Sequence, residues 1–252
     1  MNIRRENALK NIAILLLVIL AIWLGFRHPK TAPAPEPENS AQAPANTSSG
    51  ISITKEKITE ANFSGSRPVI TGGGDLADAA RSFVDKTVSD FKTQADKEVP
   101  DIKAHFGADE PAAMYTLDID AKDIKGPKTE SIVLVEDIYT GGANDNEVFK
   151  VFTASLASGK LLDLSDVIKT SQQAPFTELV KKELDAWQPS GTTAPVVFTD
   201  EVDSLKFSDF TDWSLDSQNL TLYFSKYAIG PGVLGAVPFT ISVDKLSDML
   251  AI

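Results

Sequence analysis

Between Ile12 and Phe26 the chain reads IAILLLVILAIWLGF, a run with no charge and no proline. A helix that is apolar on every side has no place on the surface of a water-soluble domain, so this run is destined for a bilayer or for removal. It covers roughly 22 Å at about 1.5 Å per residue, short of a ~30 Å hydrocarbon core. Ala8 and Leu9 lengthen it, and Lys10 and Arg27 carry stems long enough to reach the two interfaces. Arg4, Arg5 and Lys10 precede it, which by the positive-inside rule keeps the N-terminus in the cytoplasm. The expected organisation is a cytoplasmic tail over 1–10 and a single-pass transmembrane anchor over 11–27, with the rest of the chain extracytoplasmic at the cell membrane. The alternative is a signal peptide whose cleavage would leave a secreted protein. Against it, Arg27-His28-Pro29-Lys30 stands where small residues should prepare a cleavage site.

Residues 28–50, HPKTAPAPEPENSAQAPANTSSG, hold five of the fourteen prolines and almost nothing that could enter a core. Such a segment favours extended polyproline II and reads as a Pro/Ala-rich linker spanning up to roughly 70 Å. Folding is thereby confined to 51–252. Hydrophobic residues at 42% and charged ones at 23% are ordinary for a globular chain. The absence of cysteine removes disulfides, thiolate metal sites and cysteine nucleophiles together. With 24 basic and 35 acidic residues the net charge is −11, a field that repels phosphate backbones and excludes nucleic acid as the expected partner.

Within 51–252, Ile51-Ser-Ile53 and Val69-Ile70 suggest short strands. Gly72-Gly-Gly74-Asp75 opens a helix with Asp75 as N-cap, and Leu76, Ala80, Phe83, Val84, Thr87, Val88 and Phe91 keep helical spacing. Tyr115–Asp120 alternates as a half-buried strand, Ile132–Tyr139 reads as a central one, and Val148–Leu156 pairs with it across a Gly-rich loop. Ser165 is expected to cap a short helical turn. A longer helix starts near Pro175 and carries Phe176, Leu179, Val180, Leu184 and Trp187. Val196–Phe198, Phe207 and Phe210 read as minor strands. Leu220–Phe224 and Val237–Val243 are the strongest late strands, and a short helix with Leu246, Met249 and Leu250 closes the chain. With no βαβ alternation, the expectation is an α+β fold, a mainly antiparallel sheet with a few packed helices, preceded by the one transmembrane helix.

The chemistry available is narrow. His28 and His105 are the only histidines, so a Ser-His-Asp set or a zinc site lacks its base or ligands. No metal site and no cofactor is expected. The glycines at 72–74 lack the Lys-Ser/Thr that would follow in a phosphate loop. Asp145 with Glu147, and Asp118, Asp120 and Asp123, are carboxylate groups without calcium-loop spacing, and read first as solvated faces.

Two blocks are distinctive. The first is Asp137-Ile-Tyr139-Thr140-Gly141-Gly142-Ala143-Asn144, followed by Phe149–Phe152 and Leu156-Ala-Ser-Gly159-Lys160-Leu-Leu-Asp-Leu164. The second is Leu220–Phe224-Ser-Lys-Tyr227-Ala-Ile229-Gly-Pro231-Gly-Val-Leu-Gly235, closing with Phe239-Thr-Ile241. In this order they resemble the exported domain of unknown function shared by RsiV-type, lysozyme-sensing anti-sigma factors and PdaC-type peptidoglycan deacetylases. The resemblance covers about residues 69–250 and is strongest over 115–250. It implies an α+β domain outside the membrane, which binds lysozyme in the anti-sigma relatives and accompanies a catalytic domain in the deacetylases. Asn144 stands where that family usually has histidine, and Gly232-Val233-Leu234 replaces its usual Tyr-Ala-Ala. Ten residues before the apolar run are too few for a sigma-binding segment, and no deacetylase domain is expected. The resulting expectation is a non-enzymatic binding or sensing domain of the cell envelope. Its partner would be a cationic lysozyme-like protein or peptidoglycan, met through Tyr139, Thr140, Gly141, Gly142, Ala143, Asn144, Tyr227, Ile229, Pro231 and Gly235. The alternatives are an envelope hydrolase working with paired carboxylates, and a structural envelope protein without a soluble ligand.

Overall fold

The computed structural model describes residues 50–107, 114–189 and 196–252, all within one unit of the chain, residues 44–252. The expected tail, anchor and all of the linker but Gly50 lie outside the described residues. Among those that are described, no helix is long and apolar enough to cross a membrane.

The first layer is a five-stranded sheet in the order β1-β2-β3-β4-β5. Its strands are β1 (Ser52–Thr59), β2 (Phe63–Thr71), β3 (Tyr115–Lys125), β4 (Thr129–Tyr139) and β5 (Asn146–Ser155). The helix α1 (Asp75–Phe106) joins β2 to β3 and packs on one face. Leu76, Ala77, Ala80, Val84, Phe91, Ala95 and Val99 form its buried stripe, three and four residues apart. The three alanines let the helix lie close, and Phe91 meets Phe63 edge to face at 5.1 Å. The N-cap is Gly74 at φ 93°, and Asp75 is already helical, one residue off the expected cap. A flexible glycine takes that conformation without the Cβ clash an aspartate would meet.

The sheet is mainly antiparallel, as expected, with one parallel pair. β2 and β3 pair in parallel over Phe63–Ser66 and Tyr115–Asp118. A parallel pair needs a long crossover, and the 32 residues of α1 supply it. The expected βαβ absence fails because β2 (FSGSRPVIT) alternates poorly and announces itself only at Val69-Ile70.

The second layer holds α2 (Leu164–Val167), α3 (Gln173–Asp185), α4 (Thr199–Ser204) and α5 (Val243–Leu246) around an antiparallel sheet. That sheet runs β6-β7-β8, with β6 (Trp213–Leu215), β7 (Asn219–Phe224) and β8 (Val237–Ser242). Three sequence expectations change here. Asp163, through a reciprocal pair with Asp166, caps α2 in place of Ser165. Phe198 is the N-cap residue of α4, and Phe207 lies in the single turn Phe207–Asp209, so neither is a strand. Phe207 and Phe210 turn inward instead and meet the buried Phe176 ring at 5.9 and 5.8 Å. Aromatics that pack as a cluster have no need of strand periodicity, which is why the pattern misled.

Short polar bonds tie the layers together. The Thr153 hydroxyl donates to the Trp213 carbonyl at 2.7 Å and the Thr129 hydroxyl to that of Leu215 at 2.6 Å. The Asp212 carboxylate accepts from Val151 N at 2.7 Å and from Lys150 at 3.0 Å. These contacts hold the second sheet over the β4–β5 end of the first and bring two loops together at one end.

Candidate functional site

The first loop follows β4. Tyr139 is the last residue of that strand, opposite Thr116, and Thr140 to Asp145 make the turn into β5 with Gly141 at φ 77°. Thr140, Gly142, Ala143, Asn144 and Asp145 are exposed. The second loop joins β7 to β8. Tyr227 holds φ 70°, the one positive-φ residue other than glycine among those described, and its side chain is 55% exposed. A left-handed tyrosine costs about 1–2 kcal/mol, which its surroundings must offset. Gly232 makes room for it, since a Cβ there would sit 2.4 Å from the Tyr227 ring. Val233 at the tip is 91% exposed.

The two loops are stapled to each other. Lys226, only 8% exposed, donates from Nζ to the Asp145 carbonyl at 2.7 Å and pairs with its carboxylate at 3.0 Å. Lys226 N donates to the Glu147 carbonyl at 2.9 Å, and the Glu147 carboxylate accepts from Ala236 N at 3.1 Å. Ser225 accepts from Phe149 N at 3.0 Å, while the Phe149 and Tyr223 rings meet at 5.0 Å beneath. Gly235 is required by that closeness: at φ 65°, a Cβ would lie 2.6 Å from the Glu147 carboxylate. The hydrogen bond from Lys226 holds the Asp145 carboxyl below its usual range.

The expected residues thus divide. Thr140, Gly142, Ala143, Asn144 and Tyr227 are exposed, with Tyr139 and Gly141 half-buried beside them. Ile229 is 1% exposed and belongs to the second core, and its carbonyl accepts from Phe198 N at 2.8 Å. Pro231 and Gly235 are half-buried and shape the loop. Lys226 and Glu147 are the residues that reasoning from sequence did not select. Asp145 and Glu147 were visible only as a carboxylate pair, because nothing local signals that their partners are some eighty positions away.

Register also brings carboxylates together. Asp118 lies opposite Asp137, and Asp137 opposite Glu147. Like charges in direct cross-strand positions destabilise a sheet. Loss of surrounding water and then the charges of Asp145, Glu147 and Asp118 raise the Asp137 carboxyl. No group of three or more metal-ligating side chains occurs among the described residues. On the opposite face of β4, Glu136 is 5% exposed, and burial pushes its carboxyl up to about 7 despite the Lys150 ammonium nearby.

Residues 165–244 match the family model described as protein of unknown function DUF3298. The chain is similar to the peptidoglycan-N-acetylmuramic acid deacetylase PdaC of Bacillus subtilis, 26% identical over 177 residues. That match takes in 68% of this chain and 35% of the relative, so the chain spans about a third of the curated protein it resembles. Its fold is similar to a DUF3298-family structure from Bacteroides fragilis, with a TM-score of 0.54 at 15% identity, over 82% of this chain and 96% of that one. It is similar as well to a DUF3298-family structure from Pseudomonas aeruginosa, with a TM-score of 0.50 at 14% identity, over 79% and 92%. Those two likenesses concern the fold alone. The resemblance read from the two blocks, to a domain of unknown function shared with PdaC-type proteins, holds.

Proposed function

We propose that this chain is an extracytoplasmic binding module of the cell envelope that acts without catalysis, anchored by its N-terminal apolar run and meeting its partner with the stapled loops. The carrying observation is the Lys226–Asp145 and Glu147–Ala236 staple, which fixes two distant segments into one surface presenting Tyr227 and Val233. Exposed aromatic and aliphatic side chains on rigid supports are what a recognition surface uses, because little ordering entropy is lost on binding. Similarity to a deacetylase that acts on peptidoglycan supports an envelope setting, and the acidic surface suits a basic partner such as a lysozyme-like protein. The test is retention of the full chain on purified peptidoglycan and on immobilised lysozyme at physiological salt. Tyr227→Ala and Val233→Asp are expected to weaken retention at least tenfold; equal retention of both variants would overturn the assignment of the surface.

The juxtaposition of Asp118, Asp137 and Glu147 favours one second reading, an envelope hydrolase with Asp137 as general acid. Release of soluble fragments from peptidoglycan, abolished by Asp137→Asn, would establish it.

A further inference from the structure

One ion pair between the two layers is unlike the rest. Lys150 of β5 and Asp212, the residue before β6, meet at 3.0 Å with side chains 30% and 17% exposed. Among the described residues it is the one ion pair in which neither side chain is more than a third exposed. The Asp212 carboxylate is held at both oxygens. Val151 N donates at 2.7 Å to Oδ1, the oxygen that Lys150 also meets, and the Thr211 hydroxyl donates to Oδ2 at 2.8 Å. Lys150 Nζ lies 5.4 Å from the centre of the Phe152 ring, which steadies an ammonium without accepting a proton from it.

A third group belongs with this pair. Leu134 lies opposite Lys150 and Glu136 opposite Val148, so Glu136 and Lys150 are diagonal neighbours on one face of the sheet. Glu136 is buried, with one carboxylate oxygen that has no hydrogen-bond partner. The charges that act on it are those of Lys150 and Asp212, and burial leaves its carboxyl at about 7, where it both gives and takes a proton at neutral pH. An amine fixed against a carboxyl, beside a buried group that can carry a proton, is the set that amide formation needs. Fixed contact replaces the high concentration that the reaction requires in solution.

We infer that Lys150 and Asp212 join in an isopeptide bond, with Glu136 as the proton carrier. Proton transfer across the ion pair first gives a neutral amine and a neutral acid. Lys150 Nζ then attacks Cγ of Asp212, and the Val151 N–H holds Oδ1 as negative charge develops there. Glu136 protonates the departing Oδ2 hydroxyl, the Cγ–Oδ2 bond breaks, and one water leaves. The nitrogen returns a proton to Glu136. Ammonium and carboxylate thus become amide and water, with no oxidant and no co-reactant. The chain has no cysteine, so no disulfide can join its layers; this bond joins them through residues 62 positions apart.

The inference is independent of the stapled loops and of any partner. The experiment is mass spectrometry of the full chain, intact and after digestion, following incubation at neutral pH. The expected mass is that of the chain less one water, with a branched peptide joining the Lys150 and Asp212 segments. Lys150→Arg keeps the ion pair without a nucleophilic amine, and Glu136→Gln keeps the shape without a proton to give. Both, once shown to be folded by circular dichroism, are expected to lack the branched peptide and to keep the water. An unlinked wild-type chain, or a water lost anywhere but between these two residues, overturns the inference and requires no variant. Linkage in Glu136→Gln equal to that of the wild type overturns the role of Glu136.

Discussion

Glu136 is buried in β4 with one carboxylate oxygen lacking a hydrogen-bond partner, and its carboxyl is pushed from 4.5 up to about 7. The raised value means that the folded chain holds this proton more tightly than the unfolded one. Stability is therefore fully present below the unfolded value and falls as pH rises from about 4.5 to about 7. Each unit of such a shift is worth about 1.4 kcal/mol, so up to roughly 3 kcal/mol is lost across that window. Glu136→Gln is expected to flatten this slope, measured by urea unfolding at pH 5 and pH 8; an unchanged slope would assign the loss to other groups. Gly65 supplies a second test at this scale. A Cβ 1.8 Å from a carbonyl oxygen cannot be relieved by a side-chain rotation, so the backbones must part. Gly65→Ala is expected to cost about 3 kcal/mol and to lower the melting temperature, while Gly73→Ala, with nothing within 4 Å, should change little. Lys226→Met should leave the fold intact but release both loops, seen as faster amide exchange at Lys226 and Ala236.

Among the elements, α1 was legible in its first half and not in its second. Leu76 to Phe91 repeat with helical spacing, whereas Pro100 lies six positions before the end, where an interior proline costs a hydrogen bond. The helix continues to Phe106 because Ala95 and Val99 are buried against the sheet, and that packing outweighs one missing hydrogen bond. Pro100→Ala is expected to stabilise the protein by about 1–3 kcal/mol, a rise in melting temperature that a destabilised variant would contradict. β4 and β5 were readable from their apolar runs, as were β7 and β8. β1 was not. Six of its eight residues are exposed, so no burial pattern marks it. Its edge carries Lys55 and Lys57, the charges that natural sheets use to discourage edge-to-edge pairing.

For the molecule as a whole, charge and layering decide behaviour together. Five of the 24 basic residues and three of the 35 acidic ones fall in 1–50, leaving 19 against 32 and a net −13 for residues 51–252. A surface of that sign draws any basic protein by steering, an attraction screened within about 8 Å at physiological ionic strength. Retention of a basic partner is therefore expected to fall severalfold between low and physiological salt, while the part lost in Tyr227→Ala should persist at both. Retention that vanished entirely at physiological salt would leave steering as its only cause. Composition, the missing cysteines, the apolar run, the proline-rich segment, most strands and the two loop blocks were all determined by the sequence alone. Each depends on local periodicity or on residue type. The one parallel pair of strands, the Lys226 and Glu147 staple and the juxtaposition of Asp118, Asp137 and Glu147 were decided only in three dimensions. Cross-strand register and the docking of one layer on another pair residues that no local pattern connects, and the partners of Glu147 and Lys226 are settled by where β5 meets β7.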